Sequence, residues 1–199
     1  MTSLSRINPF TDPRLAAQYD PWYADPLGAT MDRLQKQLVL RMAAPRPGEC
    51  ALDVGTGTGN YACTLARCGL QVIGVDPSAA MLGIARRKAE PVTWQLGAAE
   101  NLPYRDASFP LVISVTALEF ARDVGQALAE MYRVLKPGGR LVVGTLNARG
   151  PWGEFYGRLA LDPASPLHHA HLLTAEAFTQ KLGQLGTVSW SSAGFVPPS

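Results

Sequence analysis

Three glycines alternate with threonines in Gly55-Thr56-Gly57-Thr58-Gly59, directly after the apolar run Ala51-Leu52-Asp53-Val54 and before a helical pattern. Glycine lets the main chain turn with positive φ and lets a ligand lie against the backbone, while unpaired N–H groups at the start of the next helix face that ligand. An adenosine-like guest is expected. A dinucleotide site takes Gly-x-Gly-x-x-Gly, but here the sixth place is Asn60 and the third glycine falls one position early, which disfavours a nucleotide-dependent oxidoreductase. A second apolar run, Leu70 to Val75, delivers Asp76, whose carboxylate can accept hydrogen bonds from both hydroxyls of a ribose. A helix-capping role for Asp76 is less compelling, because Ser78 can cap the helix that follows.

These residues belong to a longer series: Leu52 to Gly59; Gly74-Val75-Asp76 with Met81 a helical turn later; Gly97-Ala98-Ala99-Glu100-Asn101-Leu102-Pro103-Tyr104; and Leu135-Lys136-Pro137-Gly138-Gly139-Arg140-Leu141. In order and spacing the series resembles the motifs of class I S-adenosylmethionine-dependent methyltransferases, over about Pro47 to Asn147. It is most similar to the small-molecule branch that includes ubiquinone/menaquinone C-methyltransferase-like proteins. The resemblance implies S-adenosyl-L-methionine as cofactor, with Gly55 and Gly57 against its methionine part, Asp76 and Pro77 at the ribose and Met81 on the adenine. It further implies Ala99, beside Glu100, donating its backbone N–H to an adenine nitrogen, Thr116 near the methionine amino group, and Tyr19 over the cofactor. Asp53 and Thr56 fall in the same motif, and Asp53 is better read as fixing the glycine turn than as catalytic. Met81 has an ordinary reading as core filler. One departure stands out: where relatives often carry Gly-Asp-Ala, this chain has Gly97-Ala98-Ala99, a loss worth about 0.5–1.5 kcal/mol of hydrogen bonding to the adenine amino group.

The cofactor of such a reaction carries its own leaving group, so the protein must align an acceptor with the methyl–sulfur bond, exclude water and, where required, take a proton. No nucleophilic side chain is needed. The sequence has neither a Gly-x-Ser-x-Gly elbow nor a metal motif. After the fourth strand it reads Ser114-Val115-Thr116-Ala117, unlike the Asn/Asp-Pro-Pro-aromatic motif of nucleic-acid amino methyltransferases. A net charge of +2, without basic runs, gives no reason to expect a nucleic-acid partner. No stretch has the length of a signal-peptide core or a membrane span, so a cytoplasmic protein with no membrane insertion is expected. Cys50, Cys63 and Cys68 contain no Cys-x-x-Cys pair and read as small buried hydrophobes.

The elements that must hold these residues alternate. Leu34, Leu38 and Met42 recur at helical spacing before Pro45. Strands are expected at Cys50–Val54, Leu70–Val75, Val92–Leu96, Leu111–Val115 and Arg140–Leu146. Helices are expected over Tyr61–Cys68, from Ser78 through Lys88, after Asp123, and over Ala175–Leu185 behind Thr174. The fold class is therefore α/β: a Rossmann-like, mostly parallel sheet sandwiched by helices. At 199 residues with 47% hydrophobic content the chain suits one domain. Residues 1–45 would form an N-terminal helical lid, 46–147 the cofactor-binding core, and 148–199 a substrate loop, helix and last strand.

Two segments outside the motifs are the expected substrate contacts. Tyr19-Asp20-Pro21-Trp22-Tyr23-Ala24-Asp25-Pro26 suits either a rigid lid or an aromatic staple for the first helix. Asn147–Leu173 is long for an αβ connection and holds Trp152, Phe155, Tyr156, Arg158 and His168-His169-Ala170-His171. His169, His171 and Tyr156 are the candidate proton-handling residues; a solvated loop is the competing reading for the histidines, and no carboxylate pair or cysteine completes a metal set. After strand-like Val188–Ser192 only Ala193 to Ser199 follow, so the final antiparallel strand of the resembled fold is expected to be missing. That would leave an open sheet edge, through a shortened chain or a strand supplied by a partner, with homo-oligomerisation through that edge as one outcome. The function expected is methyl transfer to a small-molecule acceptor by in-line displacement; the alternative is a non-catalytic binder of S-adenosylmethionine or S-adenosylhomocysteine.

Overall fold

The structure is a computed structural model that describes residues 8–193. Its centre is a five-stranded, wholly parallel sheet of β1 (Cys50–Val54), β2 (Gln71–Asp76), β3 (Val92–Leu96), β4 (Phe109–Val115) and β5 (Leu135–Gly144), in the order β3-β2-β1-β4-β5. Parallel neighbours need crossovers. Helices α3 (Asn60–Arg67), α4 (Ala79–Arg86) and α5 (Val124–Val134) supply three of them. Strand order reverses between β1 and β4, and the crevice beyond the carboxyl ends of the strands opens there.

The period of two in β1 and β4 explains the two layers. Ala51, Leu111 and Ile113 pack with Val39 of α2 (Pro26–Ala43) and Ala62 and Leu65 of α3. Leu52, Val54 and Val112 pack on the other face with Leu128, Met131 and Val134 of α5 and Phe178 of α7 (Ala175–Gly183). Central strands covered on both faces read as near-continuous apolar runs, as Leu111–Val115 does but for Ser114. The helix starts follow the capping residues: Ser78 Oγ accepts from Met81 N–H at 3.1 Å, Asp123 Oδ1 from Gln126 N–H at 3.0 Å, and Thr174 Oγ1 from Ala177 N–H at 3.2 Å.

Four expectations need correction. No strand forms over 188–192; Trp190 is 67% exposed there, so the alternation of Val188 and Trp190 has no covered face to fix it. Strand β5 begins at Leu135 rather than Arg140, because Pro137-Gly138-Gly139 is absorbed as a register irregularity opposite Phe109 and Leu111. The supposed loop after Asn147 contains α6 (Gly150–Leu159) and a 3-10 turn at Pro166–His169. Its ends meet in a parallel bridge between Asn147 and Leu173, so the excursion leaves and rejoins the domain at one place. Cys63 is buried as expected, but Cys50 is exposed at the start of β1.

The amino-terminal segment is helical and lies on the domain. Short α1 (Pro13–Ala17) packs against α4, and a 3-10 turn at Asp20–Ala24 leads into α2. Trp22 sits on the first turn of α2, where a Cβ on Gly28 would come within 2.0 Å of its carbonyl oxygen. Trp22 thus packs on the first turn of α2, while Tyr19 faces the crevice.

Candidate active site

The glycine turn after β1 is pinned to the end of β2. Val75 O accepts from Gly55 N–H at 2.8 Å and Thr56 N–H at 3.0 Å, and Asp76 Oδ2 accepts from Gly57 N–H at 2.8 Å. Gly55 has φ +71°, and a Cβ there would stand 2.3 Å from that of Ala117, so the post-β1 and post-β4 turns approach as closely as glycine permits. Asp53 lies beneath. It is buried, its Oδ2 accepts from Thr56 Oγ1 at 2.6 Å, and burial pushes its carboxyl up to about 7.

Above these turns opens a cavity of about 790 Å3, a size suited to a nucleoside-like cofactor and part of an acceptor. Gly55, Gly57, Asp76, Pro77, Met81 and Tyr19 line it, as do Ala99, Glu100 and Thr116. Asp53 and Thr56 do not; they brace the turn from below. Asp76 is 5% exposed, and burial raises its carboxyl despite the N–H groups of Ser78 and Gly57 that oppose the shift. Each oxygen takes one backbone donor, at 2.8 Å in both cases, and keeps a further lone pair for a ligand hydroxyl. The Glu100 carboxylate is partly engaged: Oε1 accepts from Arg122 N–H at 2.7 Å. Thr116 has φ +49°, an uncommon state for a β-branched residue and one found where a site imposes its own backbone geometry.

The other candidates lie elsewhere. The side chains of His169 and His171 are exposed and Tyr156 is half-buried on α6; none lines the cavity. The backbone N–H of His171 nevertheless bonds Glu119 O at 2.7 Å, and the 3-10 turn at Pro166–His169 packs against that at Pro9–Thr11. The excursion therefore supports the crevice roof.

Several lining residues were not evident beforehand. Asn8, Phe10 and Thr11 reach the cavity because Ser78 Oγ donates to Phe10 O at 2.6 Å and Phe10 sits edge-on between Tyr19 and Phe120. Asp20 fastens the same segment to the glycine turn, accepting from Thr58 Oγ1 at 2.6 Å and pairing with Lys88 at 2.9 Å. Ser114, at the carboxyl end of β4, lines the cavity with a buried hydroxyl that has no partner among the described residues. The one polar residue in Leu111-Val112-Ile113-Ser114-Val115 was its available signal. A buried orphan hydroxyl in the same cavity as the open Asp76 lone pairs fits a ligand with several polar groups, as S-adenosylmethionine has.

Residues 52–143 match the family described as Methyltransferase domain. A demethylmenaquinone methyltransferase of Renibacterium salmoninarum is 31% identical over 186 residues, covering 86% of this chain and 78% of that protein. The chain belongs to the S-adenosylmethionine-dependent methyltransferases. A ubiquinone/menaquinone biosynthesis C-methyltransferase of Rubrivivax gelatinosus is 39% identical over 129 residues, 64% of this chain and 51% of that protein. The chain thus spans about half to two thirds of the length of the first curated relatives it matches. Among solved structures, a SAM-dependent methyltransferase of Thermotoga maritima superimposes with a TM-score of 0.72 at 29% identity, over 88% of this methyltransferase chain and 79% of that one. These likenesses favour transfer over the non-catalytic binder, since each of these relatives is a methyltransferase by name.

Proposed function

We propose that the chain transfers a methyl group from S-adenosyl-L-methionine to a small-molecule acceptor by in-line displacement. The observation that carries this is the Asp76 carboxylate, buried in the cavity wall with one lone pair on each oxygen left open beside a glycine turn that a ligand can touch. Asp76 would hold the ribose, the Gly55–Gly57 backbone and the Ser114 hydroxyl the methionine part, and Met81 with Ala99 the adenine. Tyr19 and Phe10 would close the roof and keep water from the reacting carbon. The bound cofactor supplies an activated methyl group and its leaving group; the protein supplies alignment and a dry site.

The acceptor would enter between the roof and the post-β4 turn. Relatives that act in quinone biosynthesis make a hydroquinone ring the first class to test. We further place the protein in the cytoplasm, without a nucleic-acid partner, as one methyltransferase domain; among the described residues no helix is long and apolar enough to cross a membrane. The test is transfer of label from methyl-tritiated S-adenosylmethionine to a panel of reduced naphthoquinols and other phenols. Label in an organic product, absent with Asp76→Ala, supports the reading. Cofactor binding with no transfer to any member of a broad acceptor panel counts against it.

A further inference from the structure

Glu119 lies between cavity-lining Leu118 and Phe120, on the 3-10 turn that follows β4, and is 1% exposed. Its side chain turns behind the crevice wall. There Oε1 accepts from Thr145 Oγ1 at 2.9 Å and from Leu146 N–H at 2.7 Å, holding the loop after β5 to the turn after β4. Oε2 is equally buried and has no hydrogen-bond partner among the described residues. Burial raises its carboxyl, and no cation stands among the groups that oppose the rise. The titratable groups that face it are the hydroxyls of Tyr19, from the roof, and Tyr156, from α6, both pushed up further by its charge. A buried acid with one satisfied oxygen, one open oxygen and no cationic partner is costly as an anion unless a positive charge arrives.

We propose that Glu119 is the internal counter-charge of the crevice, ionised while a sulfonium cation is bound and protonated when the bound sulfur is neutral. The proposal rests on the reading above that the crevice takes S-adenosylmethionine. In the transfer, the acceptor's electron pair forms the new bond to the methyl carbon and the carbon–sulfur pair goes to sulfur. The site thereby loses one positive charge, the acceptor's proton leaves to solvent, and Glu119, no longer facing a cation, takes up one proton from solvent at Oε2. The net charge within the crevice is unchanged between the two bound states. Glu119 is a positioning residue, since it acts through the field behind the wall rather than by touching the ligand.

The test needs no acceptor. Calorimetric titrations with S-adenosylmethionine and with S-adenosylhomocysteine, each in two buffers of different ionisation enthalpy, read the protons released on binding across a pH series. Greater release with the cationic ligand is expected, peaking at one pH. In Glu119→Gln the difference disappears while S-adenosylhomocysteine affinity stays within about threefold. Thr145→Val removes a donor to Oε1, so the peak moves to higher pH; this variant decides the matter if Glu119→Gln does not fold. Equal release with both ligands in the intact chain, a difference that persists in Glu119→Gln, or an unmoved peak in Thr145→Val overturns the proposal. Failure of the intact chain to bind S-adenosylhomocysteine is a separate result, which overturns the cofactor reading and this proposal with it.

Discussion

Asp53 and Asp76 are carboxylates at the ends of adjacent strands, and their surroundings give them different work. Asp53 is closed off under the glycine turn, with a carboxyl pushed up from 3.8 to about 7. A folded-state value above the unfolded one means that the native chain binds more protons between those limits. The stabilisation this group gives is present below pH 3.8 and is lost as pH rises toward 7. Thermal melts should therefore show the chain losing stability relative to Asp53→Asn over that interval, with the two curves parallel above it. A variant that follows the intact chain throughout would remove Asp53 as the cause. Gly55 offers a steric test. Gly55→Ala places a methyl group 2.3 Å from Ala117 Cβ at a φ of +71°, and should weaken S-adenosylhomocysteine binding by about tenfold or more. Ala117→Gly in the same chain should restore part of that loss, because it relieves the clash and leaves the dihedral cost; no recovery would place the defect elsewhere. The glycine turn and Asp76 were legible because each is a local signal at the end of an apolar run. Ser114, Phe10 and Glu119 were not, since each acquires its role from contacts distant in sequence.

At the scale of elements, Ser78 joins two tasks that sequence would assign to separate residues. Its hydroxyl accepts from Met81 N–H to cap α4 and donates to Phe10 O to hold the amino-terminal segment over the crevice. Ser78→Ala should cost about 1 kcal/mol from the cap alone. It should also make the segment around Phe10 cleave earlier in limited proteolysis, before the domain melts; cleavage unchanged from the intact chain would show that the Asp20–Lys88 pair and the aromatic contacts suffice to hold it. The strand and helix pattern from Cys50 to Val134 was readable because every unit had an apolar period and a capping or breaking residue. The excursion between Asn147 and Leu173 was not, because Gly150, Pro151, Gly153 and Gly157 hide a helix whose position depends on a bridge closing its ends. The histidine cluster is a signal of composition alone, and its side chains stand exposed outside the cavity lining.

For the whole molecule, five parallel strands place every cavity-lining turn at one end, where the order of strands reverses. The same sheet leaves β5 without a neighbour on its outer side among the described residues, and we propose that two copies can pair there. Sedimentation over a concentration series should then show a monomer–dimer equilibrium, and a single monomeric species at every concentration would end that proposal. The central claim, that this crevice is built for S-adenosylmethionine, meets its most direct test in calorimetric titration with S-adenosylhomocysteine of the intact chain and of Asp76→Ala. Micromolar binding to the intact chain and none measurable to the variant are expected. Absence of binding to the intact chain, or equal binding to both, would contradict it.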